Sequence, residues 1–382
     1  MKKDIGIMLL EGETAAGRVP PLRRLGLTVN YACDGNCTYC YAKPQWHAAH
    51  GAGNEMTLDE FREILRQARP LGLEEVQLSG GEPLLKKDVL DFVKMAKDSG
   101  VRVGIFTNGS TLGKMLEGLK AARADWIRVS LGGSTAEKSR HAGRVGDTDE
   151  RFARILDNIR ASVEAGFVTG TFTPVMKKSY ADVRATAALA RDLGAKYIVF
   201  CNYIPLGNEQ DEANRMDVRE HYEAIEEVLK AREDQRGALD VLAYYGFFEY
   251  LSPNWKETDE VLKGPCGRER LAFDANGDVK TCLCTGHALD SFRKKGFNLA
   301  KMWREHPTLL EIRKNKKFEP CLHCKRNAAC RPCLVPTIHL SKTIDAAPPN
   351  CPAVREYTLF KKTLPEKEAL EKALRHNLKQ GS

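Results

Sequence analysis

The sequence lacks an apolar run long enough to cross a membrane or form the core of an export signal. The longest N-terminal run is Ile5 to Leu10, and Lys2 and Lys3 before it do not change that. A cytoplasmic location and no membrane partner are expected. Internal repeats and low-complexity tracts are also missing. Charge of one sign is scarce, because 59 basic against 51 acidic residues leave only +8 over 382 residues, too little for a dedicated nucleic-acid binder. No nucleic-acid partner is expected. With 42% apolar and 29% charged residues, the chain can bury one large core or two modest ones.

Cysteine is abundant. Twelve cysteines without an export signal argue against a disulfide framework and for metal or redox chemistry. Cys33, Cys37 and Cys40 stand near the start and Cys201 stands alone. Cys266, Cys282, Cys284, Cys321, Cys324, Cys330, Cys333 and Cys351 fill the last third, so two sulfur sites are expected.

From Leu25 to about Gly207, short β-branched runs alternate with amphipathic stretches, the rhythm of βα units around a mostly parallel sheet. Six strands are predicted, at Leu25–Asn30, Glu75–Leu78, Val101–Thr107, Trp126–Leu131, Phe167–Val175 and Tyr197–Tyr203. Thr57 and Glu60 form a capping box ahead of a helix whose apolar face is Leu58, Phe61, Ile64 and Leu65. A second helix near Val89–Ala96 ends at Gly100, and Met216–Arg232 reads as a third. After the aromatic-rich Tyr244–Trp255, the texture changes to loops punctuated by Cys, Gly and Pro. From Pro365 a helix with a Leu370, Leu374 and Leu378 stripe is expected. The expected division is an N-terminal extension over 1–24, a partial barrel over 25–210, a connecting helix and linker over 211–262, a cysteine-rich domain over 263–352 and a terminal helix over 353–382.

Cys33, Cys37 and Cys40 have CxxxCxxC spacing directly after the first strand, so one loop brings three thiolates together. A cubane cluster takes four protein ligands, and three leave one iron open to a further ligand. A three-thiolate zinc site or three unrelated buried cysteines are the plainer alternatives. Gly80, Gly81, Glu82 and Pro83 follow the second strand. Two glycines allow close approach to the backbone, and a fixed carboxylate can hold an ammonium group.

These two motifs together resemble the radical S-adenosylmethionine (SAM) enzymes. The resemblance implies a partial (β/α)6 TIM-like barrel in which Cys33, Cys37 and Cys40 hold a [4Fe-4S] cluster, its open iron binds SAM, and Gly80–Pro83 contacts the SAM amino group. It also implies that Tyr39 lies near the adenine and that Asn108 and Ser130 touch SAM, although strand-end turn chemistry accounts for those two equally well. The implied reaction is reductive cleavage of SAM to a 5′-deoxyadenosyl radical that abstracts hydrogen from an unactivated C-H bond, with a reductant such as ferredoxin or flavodoxin as partner.

The later cysteines resemble the SPASM extension of the same enzymes, which surrounds two auxiliary iron-sulfur clusters. By that resemblance Cys321, Cys324, Cys330 and Cys351 ligate an outer cluster, and Cys266, Cys282 and Cys333 an inner one. A zinc knuckle from the four central cysteines is the alternative, and it leaves Cys266, Cys282 and Cys351 without a role. Two departures stand out: only Arg331 and Pro332 separate Cys330 from Cys333, and no cysteine shortly precedes Cys266. Either Cys284 supplies the fourth inner ligand or that iron stays open. Lys325, Arg326 and Arg331 favour a reduced outer cluster or are solvated surface charge. Asp274, Asp278, His47 and His50 are bases by residue type but read as surface or turn residues. The expected activity is that of a radical SAM oxidoreductase or maturase acting on a peptide or cofactor precursor. A dehydrogenase or epimerase of a small metabolite such as an aminosugar is the second reading, and a zinc-stabilised binding module the third.

Overall fold

The computed structural model describes residues 19–42, 55–203, 214–244 and 265–313. All six expected strands are present, with ends within two residues of those predicted: β1 (Arg24–Thr28), β2 (Glu75–Ser79), β3 (Arg102–Thr107), β4 (Trp126–Ser130), β5 (Val168–Val175) and β6 (Tyr197–Asn202). Each pairs in parallel with the next, and helices cross over between them. The architecture is an α/β partial barrel.

The sheet runs on past the boundaries expected near 210 and 263. The helix Val218–Asp234 leads into β7 (Asp240–Tyr244), which lies parallel to β6. At the other side, β8 (Arg270–Phe273) lies parallel to β1, followed by antiparallel β9 (Asp278–Lys280) and β10 (Ala288–Ser291). The final order is β10-β9-β8-β1-β2-β3-β4-β5-β6-β7. The region read as loops after Trp255 thus contains strands. β8 is only four residues long and opens on a charged Arg270, so its period was too short to register.

Strand residues alternate between two faces. Leu25, Leu27, Val76, Leu78, Val103, Ile105, Ile127 and Val129 form a fully buried layer under the helices. The helix Leu58–Ala68 begins with the expected capping box and adds Phe61, Ile64, Leu65 and Ala68 to that layer. Its Phe61 ring stacks on Phe92 of the helix Val89–Asp98 at 5.0 Å. Burying a side chain of this size contributes about 1.5–3 kcal/mol. Leu299, Met302 and Trp303 of the helix Leu299–Glu305 and Leu309 and Ile312 of the helix Pro307–Arg313 join the same core. The described part of the last third is therefore packed onto the barrel.

The opposite face is polar and aromatic. The Arg128 guanidinium lies 4.8, 5.1 and 5.0 Å from the ring centres of Phe106, Trp126 and Tyr197, and its Nε donates to the Tyr197 hydroxyl at 3.1 Å. Gly104 makes room for this stack, since a Cβ there would meet the Trp126 ring at 1.8 Å. These side chains fill the lower barrel, which leaves the carboxyl ends of the strands as the place for a site.

Candidate functional site

The segment after β1 turns across the carboxyl edge of the sheet and carries Cys33, Cys37 and Cys40. None of the described cysteines is in a disulfide. Burial pushes the Cys33 and Cys37 thiols up, and each also feels the charge of a neighbouring cysteine. Among the described residues, no three His, Cys, Asp or Glu side chains close on one metal-binding point. The loop groups its thiols without locking them together.

Fixed charges hold this loop. Asp34 accepts from Asn108 Nδ2 at 2.7 Å, Ser110 Oγ at 2.6 Å and Arg151 at 3.0 Å. Burial opposes ionisation of Asp34, but these donors hold its carboxyl down at about 2. On the other flank Cys37 forms an isolated backbone bridge with Arg144, and Thr38 N donates to Gly143 O at 2.9 Å. The Arg144 guanidinium is buried and pairs with Asp147 at 2.7 Å, while Asp147 also accepts from Ser139 at 2.6 Å. A buried cation therefore stands beside Cys37. Asp34, Arg144, Asp147 and Arg151 were missed from the sequence. An acid inside the cysteine motif was the available signal, but its basic partner is 117 residues away.

Gly80 and Gly81 allow a close approach, and what approaches is the chain itself. A Cβ on Gly80 would meet Asn30 Oδ1 at 2.4 Å, and one on Gly81 would meet the Tyr31 and Ala32 carbonyl oxygens at 2.4 Å. Glu82 is fully buried and caps the short 3-10 turn Pro83–Leu85. Its carboxylate accepts from Leu84 N at 3.1 Å, Thr107 Oγ1 at 2.8 Å and Asn108 N at 2.6 Å. All three donors are neutral, and burial pushes the carboxyl up to about 7. A carboxylate offers about four acceptor positions, so one remains for a further donor. A cationic ammonium would offset the cost of keeping this charge buried.

Asn108 joins the two motifs, because its side chain lies 3.9 Å from Cys33 Sγ and its backbone is bonded to Glu82. Tyr39 packs toward Ala142, Met176 and Tyr203, with its ring against Gly143. Ser130 ends β4, half-buried and in register with Phe172.

The second sulfur group lies beside the first because β8 neighbours β1. The Cys282 thiol is within hydrogen-bonding reach of the Cys266 and Cys284 thiols, which hold it well below the usual thiol range. Tyr41, which follows Cys40, feels both Cys284 and Cys40, and its hydroxyl is 3.0 Å from Ser79 Oγ. Asp274 opens the β8-β9 turn, where Gly277 N donates to its carbonyl at 2.9 Å, but it is not on the surface. It is 2% exposed, accepts from the Tyr31 hydroxyl at 2.6 Å and pairs with Lys280 at 2.5 Å. This tie fixes the segment leading into the cysteine loop to the β8-β9 turn. Cys321, Cys324, Cys330, Cys333, Cys351, Lys325, Arg326, Arg331, His47, His50 and the helix from Pro365 lie outside the described residues.

Residues 27–190 match the family model described as the Radical SAM superfamily. A GTP 3′,8-cyclase of Marinobacter nauticus is 29% identical over 306 residues, covering 74% of this chain and 86% of that one. An AdoMet-dependent heme synthase of Methanosarcina barkeri is 25% identical over 325 residues, covering 81% of this chain and 90% of that one. Among solved structures, Streptococcus suis SuiB bound to precursor peptide SuiA superposes with a TM-score of 0.68 at 19% identity, over 92% of this chain and 78% of that one. Native anSMEcpe with bound AdoMet and the Kp18Cys peptide gives a TM-score of 0.68 at 16% identity, over 91% of this chain and 98% of that one. Those two likenesses are of fold. The match to that family covers residues 27–190, the segment from the end of β1 past β5 that holds both motifs, and the family it describes implies a [4Fe-4S] cluster and SAM. No described helix is long and apolar enough to cross a membrane.

Proposed function

We propose that this chain is a radical SAM oxidoreductase that removes hydrogen from an unactivated C-H bond of a cofactor precursor. In this reading Cys33, Cys37 and Cys40 hold the [4Fe-4S] cluster, and Glu82 with Gly80, Gly81 and Pro83 takes the SAM ammonium. Tyr39 flanks the adenine, Asn108 and Ser130 line the SAM site, and a ferredoxin or flavodoxin supplies electrons. The later cysteines hold two auxiliary clusters. One observation carries the reading: the three-cysteine loop stands next to a fully buried carboxylate that has only neutral donors. The residues suit the groups the family implies. When bound, the cluster and SAM supply homolytic removal of hydrogen from carbon.

The chain's own residues prepare that chemistry. Glu82 accepts the ammonium through its remaining lone pair, with Asn108 N, Leu84 N and Thr107 fixing its direction. The Asp34–Arg151 and Arg144–Asp147 pairs hold the two flanks of the cysteine loop, so little ordering is left to do on binding. The buried Arg144 places positive charge near Cys37, where an anionic cluster would gather charge. The Arg128 aromatic stack fills the inner face of β3, β4 and β6, with Trp126, Arg128 and Tyr197 buried.

Of the two substrate classes expected from the sequence, relatives matched over most of both chains favour the cofactor precursor: they are named for GTP and for heme. The test is anaerobic reconstitution followed by dithionite and SAM, with chromatography of the products. Release of 5′-deoxyadenosine is expected, together with brown protein absorbing near 400 nm. Colourless zinc-containing protein with SAM left intact would refute the proposal. Mass spectrometry after incubation with nucleotide and tetrapyrrole precursors then tests the substrate class.

A further inference from the structure

The sulfur of Cys33 already receives two N-H groups. Gly35 N donates to Cys33 Sγ at 3.3 Å, and Asn108 Nδ2, from the turn after β3, donates to the same atom at 3.9 Å. An amide nitrogen carries two hydrogens, and the other one goes to Asp34 Oδ1 at 2.7 Å, so Asn108 spans Cys33 and the next residue. The amide is fixed from several sides. Ser110 N donates to Asn108 Oδ1 at 2.8 Å, Asn108 N donates to Glu82 at 2.6 Å, and the Arg144 guanidinium donates to Asn108 O at 3.4 Å. Asp34 is held in turn by Ser110 Oγ and Arg151. Gly35 leaves the approach open, since a Cβ there would lie 3.3 Å from Cys33 Sγ and 3.8 Å from Asn108 Nδ2. An asparagine that only shaped a turn would need the bond from Ser110 and no more. N-H groups aimed at a thiolate sulfur favour its more negative state, which is how hydrogen bonds move the potential of a thiolate-ligated cluster.

We infer that Asn108 sets the reduction potential of the cluster proposed at Cys33, Cys37 and Cys40 by donating its second amide hydrogen to Cys33 Sγ. The inference rests on the cluster part of the proposed function and adds to it a positioning residue that acts through one of the ligands. Asp34 and Ser110 orient the amide for this donation. The backbone bond from Asn108 to Glu82 ties the same turn to the carboxylate proposed for the SAM ammonium, so one turn aligns both motifs.

The test uses the full chain, reconstituted anaerobically as wild type, Asn108→Ser, Asn108→Ala and Ser110→Ala. Each protein is titrated with dithionite in the presence of redox mediators, and the electron paramagnetic resonance (EPR) signal that responds to SAM gives the midpoint potential. Asn108→Ser keeps an oxygen that can accept from Ser110 N but has no N-H for Cys33, and Asn108→Ala lacks both. In both variants the equilibrium constant for reduction should fall by about threefold to tenfold, a one-electron midpoint more negative by up to ~59 mV. Ser110→Ala removes a bond to Asp34 and spares the Asn108 amide, so its midpoint should match wild type. Equal midpoints in all four proteins would overturn the role of Asn108 and leave the cluster standing. A shift as large in Ser110→Ala as in the Asn108 variants would also overturn it, because the effect would then run through Asp34. Iron lost from both Asn108 variants and kept in Ser110→Ala would count against it as well, since Asn108 would then be holding the loop and not the potential. Wild type without any SAM-responsive signal would refute the cluster reading and this inference together.

Discussion

The two cysteine groups stand side by side, at the carboxyl end of β1 and around the neighbouring β8-β9 hairpin, and hold their sulfur in opposite ways. In the Cys33–Cys40 loop the surrounding charges are paired with one another: Asp34 with Arg151, and Arg144 with Asp147. Burial pushes Cys33 and Cys37 up, so their thiols are held as thiols. In the Cys266–Cys284 group, hydrogen bonds from Cys266 and Cys284 hold Cys282 well below the usual thiol range. The first site depends on its frame and the second on its own sulfur. Substitutions around the first site should therefore act through the frame, and substitutions in the second should act only through the residue removed.

The largest effect is expected from Cys37→Ala. On the proposed function, losing one of the three proposed cluster ligands should reduce 5′-deoxyadenosine release by at least ~100-fold while any iron at the second group is kept. Loss of iron from both groups would break the comparison, and metal analysis beside product chromatography decides it. Asp147→Ala should come next. It strands a buried guanidinium, and breaking a buried pair costs about 3–5 kcal/mol, measured as a lower denaturant midpoint.

Glu82→Gln sharpens the comparison through pH. The Glu82 carboxyl is raised to about 7 by burial, so the folded state disfavours its ionised form. Stability of the metal-free protein should then fall as pH rises from about 4.5 to about 7 and level off above that. The span is ~3 kcal/mol. In Glu82→Gln that slope should vanish whatever the absolute stability, and an unchanged slope would remove Glu82 as its source. SAM carries the ammonium that favours ionised Glu82, so its binding should tighten as pH rises toward about 7 in wild type and lose that dependence in the variant.

The smallest effect concerns loading. Cys33 and Cys37 must lose protons to bind metal, whereas Cys282 is already disposed to ionise. Cobalt(II) titrations between pH 6 and 9, followed by thiolate charge-transfer absorption, should show steeper pH dependence for a Cys266→Ser/Cys282→Ser/Cys284→Ser protein than for a Cys33→Ser/Cys37→Ser/Cys40→Ser protein. Equal slopes would mean that the two groups do not differ in thiol state.

Much of this was legible locally. The six-strand rhythm survived because each strand is a run of five to eight residues, with β-branched and aromatic residues dense in Trp126–Ser130 and Val168–Val175 and buried leucines in β1 and β2. The capping box of Thr57 and Glu60 formed as expected, with Thr57 N donating to Glu60 at 2.9 Å. Asp274 was misjudged because an aspartate in a turn sequence is ordinarily solvated, and its partners Tyr31 and Lys280 come from two other places in the chain. Gly80 and Gly81 suggested close approach correctly, but the nearest atoms are those of Asn30, Tyr31 and Ala32.

Residue order alone determined the alternation of strands and helices, the cysteine spacings and the placement of both motifs after strands. These depend on neighbours within a turn or a strand, where sterics and hydrogen-bond periodicity act. Only the tertiary structure decided that β8 lies beside β1, that Tyr31 bonds to Asp274 across 243 residues, and that Cys284 meets Cys282 next to the first cysteine loop. Those pairings depend on which distant segments bury each other's apolar face and satisfy each other's polar groups, and local pattern carries no record of the partner.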